Sequence, residues 1–244
     1  MQLDPFQSPG INSNYHQSAV SRIFDLRSTN ILPFLKIMDK ENNFDINTTI
    51  HFDDFKTNIL EYAYEKRIDN KNEVLNYITQ NEKLNLASLS DIEQSTLFLS
   101  LVYNDKDLFY KSLDSIDYKF KNKKGDNILI HLLEHNYKMK YFEKIMGANF
   151  NDFQNLLHHI ILHIEPSEIN INSKRILKSA QKFKKQTIDS LRGRYNDDME
   201  NNVEQILQLI TISCEKALLT SNIDNNMNSE ENRIEAQQQH RKRI

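Results

Sequence analysis

Glycine and proline are scarce in this chain of 244 residues, with only 4 of each. Ordinary proteins contain about 7% glycine and about 5% proline, so tight β-hairpins, glycine-rich phosphate loops and nucleophile elbows are disfavoured. A single cysteine, Cys214, excludes an intramolecular disulfide and a cysteine-based zinc finger, and it permits a reducing compartment. No apolar run approaches eighteen residues, and the first ten residues lack the basic and apolar parts of a signal peptide. These absences predict a soluble, all-α protein.

The charges are nearly balanced, with 31 Lys plus Arg against 34 Asp plus Glu and a formal net charge of -3. The chain as a whole is therefore no polybasic nucleic-acid binder, and no nucleic-acid partner is predicted. Its length allows one or two domains with a substantial core.

A short phrase recurs along the chain, in which a polar residue is followed by apolar residues at helical spacing. Its polar anchors are Asn30, Asn58, Thr96, Asn127 and Asn155. Each anchor can cap a helix start, and a second amphipathic segment follows in most units. The pattern predicts tandem helix–turn–helix units, which are stable because neighbouring units bury each other's apolar sides.

The segment Gly147-Ala148-Asn149-Phe150-Asn151 resembles the Gly-Ala-Asp-x-Asn turn that closes a unit in the ankyrin repeat family. The units at Asn58, Thr96 and Asn155 each keep two positions of that family's opening phrase, and no unit carries its Pro. Asn104 and Asn136 fall where the family has a Gly between two helices, and asparagine tolerates the left-handed conformation. The resemblance covers roughly residues 25 to 165. It implies a degenerate ankyrin-like α-solenoid that binds another protein through its concave face.

Four segments are predicted. A flexible N-terminus covers 1–19, the repeats cover 20–165, a C-terminal antiparallel helix pair covers 168–220, and a polar, disordered tail covers 221–244. The wider interval between Asn58 and Thr96 predicts an enlarged loop. Two apolar stripes, over 176–191 and 199–218, define the helix pair, which is interrupted near Gly193.

The ankyrin resemblance also implies a partner-binding surface, because the family uses variable positions on the concave side for contacts. The equivalent positions here are Phe34, Met38, Tyr62, Lys66, Ser100, Asn104, His131, His135, His159 and His163. Protein–protein recognition through this surface is the predicted function.

Four of these residues form two histidine pairs with the same spacing. His131 and His135 are four residues apart, as are His159 and His163, so each pair is expected on one side of a helix. A metal-dependent enzyme or metal-responsive module built on these rings is therefore an alternative function. No His-Glu-x-x-His spacing is present, and a polar contact patch that responds to pH is the competing interpretation. No cofactor is predicted.

Other chemistry finds little support in the sequence. Cys214 falls on an apolar stripe and is expected in the core, and no nucleophile elbow, phosphate-binding loop or kinase signature occurs. Catalytic residues are therefore not predicted.

The segment 174–194 is basic, with eight Lys or Arg residues against Asp189 over 173–195. Lys178, Lys182 and Lys185 could contact an anionic membrane surface or an acidic partner. The competing interpretation is a solvated face whose charges are neutralised by acidic residues of the following helix, namely Asp197, Asp198, Glu200 and Glu204. A membrane-surface adaptor is thus a second alternative function.

Glu230, Glu231 and Glu235 lie in the polar tail near the carboxyl end. This cluster is similar to the Glu-rich C-terminal signals of effectors that intracellular bacteria export by type IV secretion, many of which carry degenerate ankyrin repeats. The resemblance implies a soluble protein of the cytoplasm, or one secreted into the host cytosol to bind a host protein.

Overall fold

The computed structural model describes residues 30–40, 45–47, 49–51, 56–65, 68–191 and 196–241, with side chains up to Ile223 apart from parts of a β-hairpin. The predicted flexible segment 1–19 lies outside these residues. The described residues are mostly helical, which confirms the all-α class. The chain divides into two compact units, Met1–Ile116 and Asp117–Ile244, and this boundary falls inside the predicted repeat region.

The first unit consists of short helices and one two-stranded hairpin. Its elements are α1 (Leu32–Lys40), β1 (Thr49–His51), β2 (Lys56–Asn58), α2 (Ile59–Glu65), α3 (Lys71–Thr79), a 3-10 turn (Ile92–Gln94), α4 (Thr96–Tyr103) and α5 (Lys106–Leu113). The strands are antiparallel, with Ile50 opposite Thr57. Helix α2 packs against α3 and α4, while α4 packs against α5 and α1 against α3. The helices of this unit share one hydrophobic core.

Among the described residues of the second unit, the regular secondary structure is helical apart from one isolated bridge. Its elements are α6 (Ile128–Glu134), α7 (Met139–Met146), α8 (Phe150–His163), α9 (Pro166–Ser190) and α10 (Asp197–Arg241). Helix α9 packs against α6, α7 and α10, and α8 also packs against these same three helices. The predicted C-terminal helix pair is thus part of the core of this unit.

Four of the five predicted anchors stand at helix starts. Asn30, Asn58 and Asn127 each accept a hydrogen bond from a backbone N–H of the following turn, at 3.2, 2.9 and 3.0 Å. Near Thr96 the cap is the preceding Ser95, which accepts from the Phe98 N–H at 3.2 Å. The prediction was wrong for Asn155, which lies in the middle of α8.

The connections between helices use asparagine where the sequence has little glycine. Asn70 and Asn104 have φ values of 57° and 58°, so the left-handed turn predicted at Asn104 is confirmed. Asn136 is not among the described residues with positive φ, and that prediction was wrong. The enlarged loop between Asn58 and Thr96 is confirmed by the long connection from α3 to the 3-10 turn.

Helices α9 and α10 bury the two stripes predicted for them. Phe183 and Thr187 of α9 are fully buried, as are Val203 and Ile210 of α10. Lys184 of α9 forms an ion pair with Glu204 of α10. Because only a short connection joins the helices, this packing makes them antiparallel.

The tail predicted to be disordered from 221 onward is instead a continuation of α10, which reaches Arg241. The segment contains neither Pro nor Gly, so nothing in it interrupts the backbone hydrogen bonds of the preceding helix. Among the described residues, no helix has the length and apolar character needed to cross a membrane.

Candidate functional site

The first histidine pair lies at the end of α6 and is half-buried. Helix α6 ends at Glu134, so only His131 is helical, while His135 has an extended backbone at the C-cap. The two ring centroids are 6.0 Å apart and the rings are nearly perpendicular. The rings are adjacent, although the predicted common helix is wrong for His135.

The second pair is closer and belongs entirely to α8. The ring centroids of His159 and His163 are 4.3 Å apart, and His163 Nδ1 lies 2.8 Å from the carbonyl oxygen of His159. A ring nitrogen must donate to that oxygen, so this contact places the proton of a neutral His163 on Nδ1. His163 is exposed and His159 is half-buried.

Two aromatic residues that were not predicted as site residues contact the histidines, Tyr118 the second pair and Phe120 the first. Tyr118 stacks on His163 with centroids 4.8 Å apart, and Phe120 lies 5.4 Å from the ring of His131. Both precede α6 in a non-helical segment, where side chains two residues apart can face the same way. The alternation of Tyr118 and Phe120 with lysines was the available signal.

The four histidines were predicted, as an alternative function, to form a metal site. We call them, together with Tyr118 and Phe120, the ring cluster. Among the residues described by the structure, no group of three or more His, Cys, Asp or Glu side chains is arranged to hold a metal ion. The cluster consists mainly of ring-to-ring contacts, and Tyr118 and Phe120 offer no ligand of the kind that zinc prefers.

The residues of the predicted concave surface differ in exposure within the first unit. Ser100 is fully buried and its hydroxyl donates to the Leu97 carbonyl oxygen at 2.8 Å, so the prediction that Ser100 contacts a partner was wrong. Tyr62 and Met38 are half-buried against the hydrophobic core. Phe34 is 45% exposed, Asn104 is exposed at its turn, and Lys66 lies outside the described residues.

Two helices that carry predicted contact residues, α4 and α6, are largely buried because of their apolar composition. In α4 every residue from Thr96 to Val102 is buried, and α6 buries five of its seven residues. A helix that is apolar around its whole circumference is covered on all sides, so no side of α4 is open to a partner.

The basic segment behaves differently, because its lysines project into solvent. Lys174, Lys178, Lys182 and Lys185 are all exposed on α9. Their spacing of three or four residues places them on one side of the helix. We call these four side chains the lysine face.

The other cations of α9 have partners within the second unit. Lys184 pairs with Glu204, as the solvated-face interpretation predicted, and Arg175 pairs with the buried carboxylate of Asp126. Within the described part of the chain, no ion pair is recorded for the lysine face itself. The neutralisation predicted from the sequence is therefore present at Lys184. The lysine face forms no ion pair with the described residues.

Cys214 is buried on α10, as its apolar stripe predicted. Burial raises the pKa of the Cys214 thiol, and the charge of Glu215 adds to this effect. The thiol form is therefore favoured over the reactive thiolate.

The chain matches no family model, and no curated protein or solved structure was found to be similar to it.

Proposed function

We propose that this protein is a non-catalytic interaction module that binds an acidic segment of another protein through the lysine face. The proposal is carried by a contrast within one helix. Lys184 and Arg175 form ion pairs within the second unit, whereas the four exposed lysines of the lysine face form none with the described residues. Aligned like charges repel one another, and an acidic partner would remove that cost.

The geometry suits an extended or helical acidic segment. From Lys174 to Lys185 the helix rises by about 16 Å, at about 1.5 Å per residue. The loop before α6 also carries lysines, of which Lys121 pairs with Glu168 near the start of α9. Lys119 and Lys123 of that loop are exposed.

A protein is favoured over a lipid surface as the partner. Membrane-surface helices place aromatic or long apolar side chains beside their basic residues. Phe183, one of the two aromatic anchors available to this segment, is fully buried in the second unit. The only large apolar side chain more than half exposed on α9 is Ile171, which is 81% exposed.

The resemblance to ankyrin repeats supports the same class of function. Capped helix starts at Asn58, Ser95 and Asn127 and the left-handed asparagine turns are consistent with a degenerate ankyrin-like scaffold. Repeat scaffolds act mainly by binding. The proposed contact surface is therefore the lysine face of α9 and not the concave positions predicted from the ankyrin resemblance.

The proposed biological setting is a bacterial effector that binds a host protein. It is supported by the resemblance of the Glu230, Glu231 and Glu235 cluster to type IV export signals. Replacing these three residues by alanine should reduce delivery of a reporter fusion into host cells, and unchanged delivery would reject the signal.

The lysine face is tested with a synthetic Glu-rich peptide in fluorescence anisotropy, using the triple variant Lys178→Glu, Lys182→Glu, Lys185→Glu. We expect the dissociation constant to rise at least about tenfold, because attraction becomes repulsion at three positions. Binding by the wild type should also weaken as salt is added.

The matched control reverses three exposed lysines of the first unit, Lys36, Lys106 and Lys111, and so changes the net charge equally. It should bind the peptide within about twofold of the wild type. Equal losses of affinity in both variants would show that binding depends only on net charge, and they would reject the lysine face as the binding site. If the protein floats with phosphatidylserine vesicles but does not bind the peptide, the partner of the lysine face is a membrane and not a protein.

A further inference from the structure

Helix α10 is longer than the helix that packs along it. It has 45 residues, whereas the antiparallel α9 has 25, so the last part of α10 extends past the start of α9. Ala217 is the last buried residue among those of α10 whose side chains are described. A helix that projects into water is only marginally stable by itself, because helical stability in proteins comes mostly from packing of an apolar side.

The outer side of α10 carries apolar residues that lead into this extension. Ile212, Leu219 and Ile223 are 50%, 63% and 58% exposed. They lie within about 40° of one another around the helix axis, while the buried Ile210 and Cys214 lie on the opposite side. The exposed apolar residues therefore face away from the core of the second unit and leave room for another helix beside them.

The same line along α10 also contains Lys216, Met227, Glu230 and Ile234, at steps of three or four residues along the described backbone. We call these four residues, together with the three exposed apolar residues, the outer stripe. Its isoleucines recur every eleven residues, which is about three turns of an α-helix. The stripe therefore follows one side of the helix from 212 to 234.

The outer stripe is complementary to a reversed copy of itself. When two copies align antiparallel with Ile223 opposite Ile223, the apolar positions coincide. Leu219 then lies opposite Met227, and Ile212 lies opposite Ile234. This reciprocal matching is what a two-fold symmetric interface requires, because each contact between two different residues occurs twice.

The charges of α10 match in the same alignment. Lys216 lies opposite Glu230. Glu215 and Arg233 occupy the same flank of the stripe and come within one helical turn of each other across the pair. A parallel alignment in register would instead place Lys216 beside Lys216 and Glu230 beside Glu230. Charge complementarity therefore favours the antiparallel arrangement.

We propose that the protein forms an antiparallel dimer through the outer stripe of α10. The contact extends over about 33 Å, at about 1.5 Å per residue. One pair of helices buries little area compared with an obligate dimer, so we expect a dimer that dissociates on dilution. The proposal does not depend on the lysine face, which belongs to α9.

Sedimentation equilibrium of the full chain tests the dimer, and exchange of the opposed charges tests its alignment. Lys216→Glu and Glu230→Lys should each raise the dimer dissociation constant at least about tenfold, because each places like charges opposite one another at two symmetric positions. The double variant restores opposite charges and should return to within about threefold of the wild type.

A third variant tests the centre of the contact. Ile223→Asp places two carboxylates at the two-fold axis and should raise the dissociation constant at least about tenfold. Leu162→Asp is the matched control, since Leu162 is 66% exposed on α8 and lies outside the stripe. The control should dimerise as the wild type does.

Four results would overturn the proposal. One is a wild-type chain that stays monomeric at every concentration. Another is a dimer that Ile223→Asp leaves unchanged, since its contact would lie elsewhere. Equal losses in Ile223→Asp and Leu162→Asp would show that the effect is not specific to the stripe. Finally, failure of the double charge variant to recover affinity lost in the single variants would reject the antiparallel alignment.

Discussion

Replacing Phe183 with alanine should strongly destabilise the second unit, because this side chain joins three helices. It is fully buried on α9, and its ring centroid lies 6.0 Å from those of Phe142 on α7 and Phe153 on α8. Transfer of the ring to water costs about 2 to 3 kcal/mol. The cavity left among the neighbouring rings adds on the order of 1 to 2 kcal/mol, so the expected total is about 4 kcal/mol.

The assay is urea unfolding followed by far-ultraviolet circular dichroism, in the transition that includes the second unit. Ile171→Ala is the matched control on the same helix, since Ile171 is 81% exposed. Its free energy of unfolding should change by no more than about 0.5 kcal/mol. A loss below about 1 kcal/mol for Phe183→Ala would refute the conclusion that α9 belongs to this core.

Three further changes test other parts of the structure. Gly147→Ala should cost about 1 to 3 kcal/mol in a thermal melt, because its Cβ would lie 2.8 Å from the Glu143 carbonyl oxygen; an unchanged melting temperature would contradict that close approach. Asn127→Ala should cost about 1 kcal/mol through the lost cap of α6, whereas Asn127→Ser should recover most of it; equal losses in both would argue against capping. The hydrogen bond from Lys83 lowers the pKa of Asp39 below its ordinary value of 3.8. The ionised Asp39 carboxylate therefore stabilises the fold above pH 3.8, and this stabilisation is lost as the pH falls through the lowered pKa. Asp39→Asn should therefore be less stable at pH 7 and lose less stability on acidification than the wild type, as acid titrations of the melting temperature would show.

Local sequence was sufficient for four of the helix starts and for the turn at Asn104. A cap needs only one side-chain oxygen within reach of the next turn, so Asn58 and Asn127 could be recognised without knowing what packs on them. The turn at Asn104 could also be recognised, because asparagine tolerates the left-handed conformation, although Asn136 shows that the residue type alone does not impose it.

Asn155 shows where this local reasoning fails. It precedes apolar residues just as the other anchors do, yet α8 has already begun at Phe150, directly after the turn at Gly147. The cap conformation is non-helical, so a helix that starts earlier removes it, and neither residue type nor spacing reports that start.

The candidate surfaces depended even more on long-range packing. Ser100 and Lys178 were both predicted to contact a partner, but one is fully buried and the other is exposed. The difference arises because residues distant in sequence cover α4, while nothing among the described residues covers the outer side of α9.

By itself, the sequence determined the helical class, the positions of several helix caps and of the turn at Asn104, and the two apolar stripes of the C-terminal helices, because these depend on side chains within a few residues of each other. Only the tertiary structure decided which faces are open and which cations of α9 are paired. Burial and pairing depend on contacts between residues far apart in the chain, and one sequence does not display those contacts.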